Sequence, residues 1–413
     1  MFLQSLPLVF VLAGLALYTV LAGADFGAGF WQLIAPRGER GERIREHAHH
    51  SVGPVWEANH VWLIFVLTVF WTAYPQAFGA IFSVLAVPLF IAAIGIVFRG
   101  AAYALKAGAA SRRESATIDT IFSVSSILTP FALGAVIGAI AANRVPANPT
   151  TIHLFSSWWT TTSLFIGVLA VTSCAYLAAV YLAADAASGG QAELERAFRA
   201  RALIAGVVAG AVAIAGLIVL NGDNHRLVHS LLTGSALVAV IVSSVAGVAT
   251  MALVYTGRFE TARYTAAVAV AAIIAGWAIA RWPMILPGLT ISEAAAGHDT
   301  LVWVVVSVLA GAAILFPSLV ILFRLALTGR FDADADAGAG AEAAVEQAPP
   351  GMRDFRPRLL VRVAAATLIA GFGLLTLADA SWAHAVGVVS LFTFMITGFG
   401  AIMSDALADQ PAA

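Results

Sequence analysis

The chain has 413 residues, of which only 11% are charged and 61% are hydrophobic. Soluble domains carry about 25% charged residues, and a water-exposed surface needs that polar cover. The composition therefore excludes a soluble enzyme, a disordered chain and a nucleic-acid-binding protein, and it indicates a polytopic membrane protein. The formal net charge of −1 implies no bulk attraction to a charged partner.

Eleven stretches of the sequence are apolar and long enough to cross a bilayer, which takes roughly 20 helical residues. They lack the alternation of barrel strands, so all are predicted to be helices. In chain order they cover residues 3–30, 54–74, 78–104, 117–142, 159–184, 202–220, 228–255, 264–286, 300–327, 359–378 and 384–404. Because the first cation is Arg37, we expect the first stretch to remain in the membrane and not to be removed as a signal peptide.

The positive charges alternate between the loops that join these spans. Nineteen of the 22 Lys and Arg residues lie in or beside the odd-numbered loops, and the even-numbered loops hold only Arg144, Arg226 and Arg281. Cations collect in cytoplasmic loops. The pattern therefore predicts an N-terminus outside and a C-terminus in the cytoplasm.

Composition divides the chain into three predicted parts. Residues 1–330 hold nine spans and form the main membrane domain. Residues 331–357 are rich in Ala, Gly, Pro and acidic residues, which predicts a flexible cytoplasmic linker. Residues 358–413 hold two further spans, predicted to form an extra transmembrane hairpin with a short tail.

Two carboxylates lie where a membrane protein has no ordinary use for charge. Asp25 is the only charge before Arg37, and Glu57 opens the second span. Helical rise places both in the inner third of the bilayer, where ionisable groups are costly and usually functional. A pair of buried acids at similar depth indicates a proton relay fed from the cytoplasm, although acids capped by loop arginines at helix ends remain the alternative.

Other ionisable residues have simpler explanations. Near cytoplasmic or outer helix ends lie Asp119, Asp185, Asp379 and Asp405. We expect Arg99, near the inner end of the third span, to snorkel toward the interface. His60 has no second His or Met at matching depth, so we expect a packed histidine and no metal site. The single cysteine, Cys174, excludes an intrachain disulfide and a thiolate metal cluster.

Several of these segments together carry a family resemblance. Residues 21–29 read LAGADFGAG, 56–64 read WEANHVWLI, and 97–100 read VFRG. Residues 281–287 read RWPMILP and are followed by LTISEAA at 289–295. Over roughly residues 1–327 the sequence resembles subunit II of cytochrome bd-type quinol oxidases, including the cyanide-insensitive branch.

The resemblance implies a nine-helix subunit, two four-helix bundles plus one helix, in a bacterial cytoplasmic (inner) membrane. It implies a partner, subunit I, that holds two b haems and haem d and takes electrons from quinol. Subunit II of this family binds no haem, supports assembly and supplies part of the proton route, and in some members it holds a structural quinone. Asp25 and Glu57 match the acids of that route. The supporting motif residues are Trp56, Asn59, His60, Trp62 and Arg99.

The chain departs from the family pattern after residue 327. The extra hairpin is expected either to pack at the periphery of the complex or to replace a small accessory subunit. A proton-coupled secondary transporter is the alternative function, because eleven spans with buried acids permit it. Against a transporter, the sequence lacks a strong internal repeat and matching pairs of broken spans.

Overall fold

A computed structural model describes residues 2–52, 56–106, 112–149, 154–327 and 356–377, with scattered residues between 380 and 397. The chain forms two compact units, residues 1–310 and 311–413. The predicted linker 331–357 lies outside the described residues, except for residues 356 and 357, which begin the helix that follows it. The domain limits proposed from composition therefore stay predictions.

The described chain is helical almost throughout. Its helices are α1 (Phe2–Leu33), α2 (Glu39–Val52), α3 (Trp56–Ala73), α4 (Pro75–Val84), α5 (Ala86–Lys106), α6 (Arg112–Ala141), α7 (Thr161–Ser188), α8 (Ala192–Asp223), α9 (His225–Thr233), α10 (Leu237–Tyr255), α11 (Phe259–Arg281), α12 (Ile291–Ala294), α13 (His298–Leu327) and α14 (Arg356–Leu377). Two short strands, β1 (Met284–Leu286) and β2 (Leu289–Thr290), pair antiparallel. The predicted all-α polytopic fold class is confirmed.

Within the described residues, eight helices are long and apolar enough to cross a membrane. A ninth span results if the bent pair α3–α4 is counted as one. Nine agrees with the number predicted for residues 1–330. The arrangement of these helices as two four-helix bundles plus one helix stays a prediction.

The second and third spans differ from their predicted limits. Helix α3 ends at Ala73, and α4 turns away from it by 119°. Pro75, which lacks an N–H, occupies the start of α4 and cannot continue the preceding hydrogen-bond ladder. The Tyr74 hydroxyl fixes the turn, since it donates to the Gln4 carbonyl (2.6 Å) and accepts from the Leu8 amide (3.0 Å). The prediction of one continuous span over 78–104 was wrong, because α4 ends at Val84 and α5 begins at Ala86 after the C-cap residue Leu85.

Three later limits also needed correction. The predicted span 228–255 is two helices, α9 and α10, with Gly234 following α9 as its C-cap. The span 264–286 stops at Arg281, because a β-turn hairpin follows. The predicted span 202–220 is part of a longer helix, α8, which begins at Ala192 and ends at Asp223.

Helices α1 and α7 form the centre of the first unit. α1 packs against α3, α6, α7 and α11, and α7 also packs against α8. A large apolar cluster joins Trp31 of α1, Leu177 of α7 and Phe198 of α8. A second cluster, at the opposite ends of these helices, joins Tyr74, Val145 and Leu286. The core therefore surrounds the C-terminal half of α1, where the candidate site lies.

The β-hairpin leads into a short capped helix. The Thr290 side chain accepts from the Glu293 amide (3.3 Å), and Glu293 Oε2 accepts from the Thr290 amide (2.8 Å). This capping box supplies hydrogen-bond partners to backbone amides at the start of α12 that would otherwise have none.

The second unit contains the end of α13 and helix α14 among its described elements. α14 confirms a helix at the predicted span 359–378. The predicted last span, 384–404, is described only in short helical stretches up to residue 397, and residues beyond that lie outside the described part. The extra transmembrane hairpin is therefore still a prediction as a unit.

Candidate functional site

The strongest candidate site is a buried ion pair between Asp25 of α1 and Arg99 of α5. Arg99 Nη1 donates to Asp25 Oδ2 and Nη2 donates to Oδ1, each over 2.6 Å. Nη2 also donates to the Asp25 carbonyl (3.2 Å). The side chains are only 5% and 2% exposed. This two-pronged geometry is the strongest arrangement available to a guanidinium and a carboxylate.

Two aromatic rings pack against the guanidinium group of Arg99. The guanidinium carbon of Arg99 lies 4.8 Å from the centre of the Phe26 ring and 4.5 Å from that of Phe122. Cation–π contacts of this kind strengthen when water is excluded. The rings thus hold the guanidinium plane against the carboxylate and separate the pair from solvent and lipid.

The glycines of residues 21–29 let neighbouring helices approach α1. A Cβ atom at Gly27 would collide with the Cys174 carbonyl of α7, and one at Gly29 would collide with the Ser126 hydroxyl of α6. These glycines therefore allow close approach of α6 and α7 to α1. The close packing also explains why a charged pair at this point is almost fully buried.

The second motif lies against the same region through α3. Asn59 is 1% exposed, and the His60 ring lies edge-on to Tyr18 (6.3 Å) and Phe26 (6.5 Å) of α1. Trp62 packs on the cluster formed by Tyr18, Phe26 and Cys174. The structure thus brings Asp25, Asn59, His60, Trp62 and Arg99 together around the C-terminal half of α1.

The other two motif residues are described only as part of a helix. Trp56 and Glu57 form the first turn of α3, and Glu57 precedes His60 by three residues, so both lie on the same side of the helix. Their side chains lie outside the described residues. The proximity of Glu57 to Asp25 stays a prediction.

Four helices in this region each contribute one buried polar atom. These atoms are Tyr18 Oη, Asn59 Oδ1, Arg99 Nε and Thr129 Oγ1, all buried and without a hydrogen-bond partner among the described protein groups. Thr129 meets the backbone of Gly95, one turn before Arg99. Buried polar groups are nearly always hydrogen-bonded, to ordered water where protein groups are out of reach. The chemistry of this region therefore suits internal water.

The role expected for Arg99 was wrong. Arg99 does not extend to the interface, because it is 2% exposed and bonded to Asp25. A signal for this pairing exists in the sequence: Asp25 lies eight residues before the end of α1 at Leu33, and Arg99 seven before the end of α5 at Lys106. At 1.5 Å per residue the two opposite charges lie at nearly equal distances, roughly 12 and 10 Å, from their helix ends.

The roles of Tyr18, Phe26, Phe122 and Thr129 were missed altogether. A membrane helix is apolar on every side, so its sequence does not show which side is buried. It therefore does not predict which rings contact a guanidinium or which hydroxyls face the interior.

Two of the acids assigned to helix ends are indeed there and paired. Asp119 near the start of α6 accepts from Lys106 (2.6 Å), and Asp185 near the end of α7 accepts from Arg263. These pairs are between about a quarter and two-fifths exposed. Asp379 and Asp405 lie outside the described residues.

Two observations on the described residues concern metal binding. In the described part of the chain, no group of three or more His, Cys, Asp or Glu side chains is arranged to hold a metal ion. Cys174 is buried and free.

Known proteins resemble this chain over most of its length. A family described as "Cytochrome bd terminal oxidase subunit II" matches residues 3–326. The putative cytochrome bd menaquinol oxidase subunit II of Bacillus subtilis (strain 168) is 25% identical over 216 residues, 51% of this chain and 60% of that protein. The cytochrome bd ubiquinol oxidase subunit 2 of the same organism is 24% identical over 152 residues, 37% of this chain and 44% of that protein.

The chain thus spans less than two-thirds of the length of both curated relatives. A chain in the solved structure of bd oxidase from Geobacillus thermodenitrificans superposes with a TM-score of 0.66. That likeness covers 79% of this chain and 99% of the other, at 23% sequence identity, and it establishes a shared fold.

Proposed function

Because the chain belongs to the cytochrome bd terminal oxidase subunit II family, we propose that it is the haem-free membrane subunit of a quinol:O2 oxidoreductase. In this proposal it supports assembly of the complex and supplies part of the cytoplasmic proton route to the site of oxygen reduction. Subunit I, the proposed partner, holds two b haems and haem d, oxidises quinol and reduces O2 to water.

The observation that carries the proposal is the buried pair of Asp25 and Arg99. A charged pair at membrane depth costs several kcal/mol of desolvation, which stability alone does not require. Apolar residues of similar volume serve a helix bundle as well. The presence of a buried ion pair despite its desolvation cost therefore supports a role in proton transfer.

We assign different tasks to the two acids of the proposed route. Both oxygens of Asp25 are occupied by Arg99, and a proton on Asp25 would leave the arginine buried without a counter-charge. Asp25 with Arg99 therefore acts as a fixed charge that orients polar groups and water along the route. Glu57, in the first turn of α3, is the proposed mobile carrier that takes protons from the cytoplasm.

The proposed topology follows the distribution of cations. The N-terminus lies outside and the C-terminus in the cytoplasm of a bacterial inner membrane. Exposed apolar side chains of α8 and α10, such as Ile204, Ile218 and Val248, suit contact with lipid or with the partner. The C-terminal hairpin is proposed either to pack at the periphery of the complex or to take the place of a small accessory subunit.

Two substitutions in the assembled complex test the proton route. Glu57→Gln and Asp25→Asn each keep the size of the side chain and remove its charge. For Glu57→Gln we expect oxygen consumption per haem d to fall about 100-fold or more, since general acid–base steps contribute about 10²–10⁴-fold. For Asp25→Asn we expect a fall because polar groups and water along the route lose the fixed charge that orients them. Full oxygen consumption with normal haem content in both variants would exclude the route.

A proton-coupled secondary transporter is the second candidate, favoured by the break between α3 and α4. Transporters often build substrate sites from such discontinuous helices. The reduced-minus-oxidised visible spectrum of the natively purified protein distinguishes the two. Haem bands with a co-purifying subunit support the oxidase, and a colourless homo-oligomer supports the transporter.

A further inference from the structure

A pair of histidines lies on the exposed side of α9, away from the ion pair. His225 and His229 are four residues apart, so they occupy the same helix face in adjacent turns. Both are exposed. Their ring centres lie 6.2 Å apart and their planes are inclined by 28°. Two neutral imidazoles on adjacent helical turns can bind one metal ion between them.

The helix that carries them is held firmly. Leu227, Val228 and Leu231 are buried in a cluster with Leu220 of α8. At the start of α9, Asn224 accepts from the Leu227 amide (3.2 Å) and donates from Nδ2 to the Ala141 carbonyl (2.7 Å). A ligand pair on a fixed helix needs less ordering when a metal binds than one on a loop.

A third residue sets the protonation pattern of His229. The Thr233 hydroxyl donates its only hydrogen to the His229 carbonyl (2.6 Å). Its oxygen also lies 3.0 Å from His229 Nδ1, so in that contact the hydroxyl accepts and Nδ1 carries the proton. The lone pair of the neutral ring is then on Nε2. This is the same device by which metal-binding histidines are oriented through their other nitrogen.

We propose that His225 and His229 form a binding site for a divalent late transition metal, with Thr233 as a positioning residue. Imidazole nitrogen suits Cu2+, Ni2+ and Zn2+, and Cu2+ binds most tightly in the general order of affinities. The two histidines supply two ligands and water supplies the rest. This fits the finding that the described residues hold no set of three metal-binding side chains.

Copper titration of the purified, chelator-washed native complex tests the site. We expect one equivalent of Cu2+ by equilibrium dialysis, with an electron paramagnetic resonance signal showing coupling to two nitrogens. Because a metal-bound imidazole must be unprotonated, copper binding should weaken as the solution is acidified. A complex that takes up no stoichiometric Cu2+ at pH 7.5 would overturn the proposal.

Matched variants locate the copper. His229→Ala and His225→Ala should each abolish the two-nitrogen signal, and Thr233→Val should weaken binding about 10-fold. His298→Ala removes another exposed histidine, at the start of α13, and should leave the titration unchanged. All four side chains are exposed, so an unchanged haem spectrum verifies that the variants are assembled. Unaltered copper binding in His229→Ala would contradict the assignment.

Discussion

Helix α5 carries two cations with very different surroundings. Arg99 and Lys106 are seven residues apart, two turns along the same face, and each pairs with one carboxylate. Arg99 makes two 2.6 Å contacts with Asp25 and is 2% exposed. Lys106 makes one 2.6 Å contact with Asp119, and both of those side chains are about one-third exposed.

The difference teaches that depth, and not contact distance, decides what a pair contributes. Near the helix end, water screens the charges and the pair contributes about 0–1 kcal/mol. Within the bundle, each charge depends on the other, because water cannot replace a lost partner. We therefore expect loss of one partner to be severe for the buried pair of Arg99 and Asp25 only.

The largest effect is expected for Arg99→Gln. The substitution leaves Asp25 buried without its counter-charge, and the folded subunit should lose about 3–5 kcal/mol. Chemical unfolding of the purified complex, together with the yield of assembled haem protein, measures the change. A loss of less than about 1 kcal/mol would place Arg99 in the same class as Lys106.

The next effect concerns the contact between α1 and α7, which shields the ion pair from solvent. In Gly27→Ala the new Cβ would lie 2.6 Å from Ala178 Cβ and would collide with the Cys174 carbonyl, so α1 must move away from α7. We expect a loss of about 1–3 kcal/mol in the same unfolding measurement. Gly210→Ala, in α8, is the control: its Cβ meets no atom within 4 Å, so the variant should be neutral or slightly more stable. Equal behaviour of the two variants would count against close packing around the pair.

The sequence predicted the number of membrane spans in residues 1–330 and one of the two charges in the buried pair. Nine predicted apolar stretches agree with the eight membrane-length helices plus the bent pair α3–α4 found among the described residues, since a bilayer imposes helix length directly. Asp25 was identified because charge in an apolar span is rare. Arg99 was misassigned because its burial depends on α1 and α6, which a single helix does not reveal. The breaks at Leu85 and Gly234 were missed because hydropathy averages over a change of helix direction.

A smaller effect is expected for Lys106→Gln. The variant removes a partly exposed ion pair, so stability should fall by no more than about 1 kcal/mol, and the fall should vanish at high salt. Unfolding at low and high ionic strength gives both values. A loss as large as that of Arg99→Gln would remove the contrast between the two ends of α5.

The smallest effect concerns an acid outside the membrane spans. Hydrogen bonds from the Thr290 amide and hydroxyl lower the pKa of Glu293 below its ordinary 4.5. A lowered pKa stabilises the fold above the ordinary value, and the contribution disappears as the pH falls through the lowered value. Hydrogen-exchange protection of the Thr290 and Glu293 amides should therefore drop at acid pH. In Glu293→Gln, which keeps a capping side chain but does not titrate, protection should stay independent of pH.

The central claim is that the charge of Asp25, and not only its structural pairing, serves oxygen reduction. The most direct measurement compares oxygen consumption per haem d in Asp25→Asn and in Asp25→Asn combined with Arg99→Gln. The double variant removes both charges and should recover assembly and stability. The account predicts that its turnover nevertheless stays as low as that of Asp25→Asn. Recovery of full turnover along with stability would show that the pair is purely structural and would contradict the account.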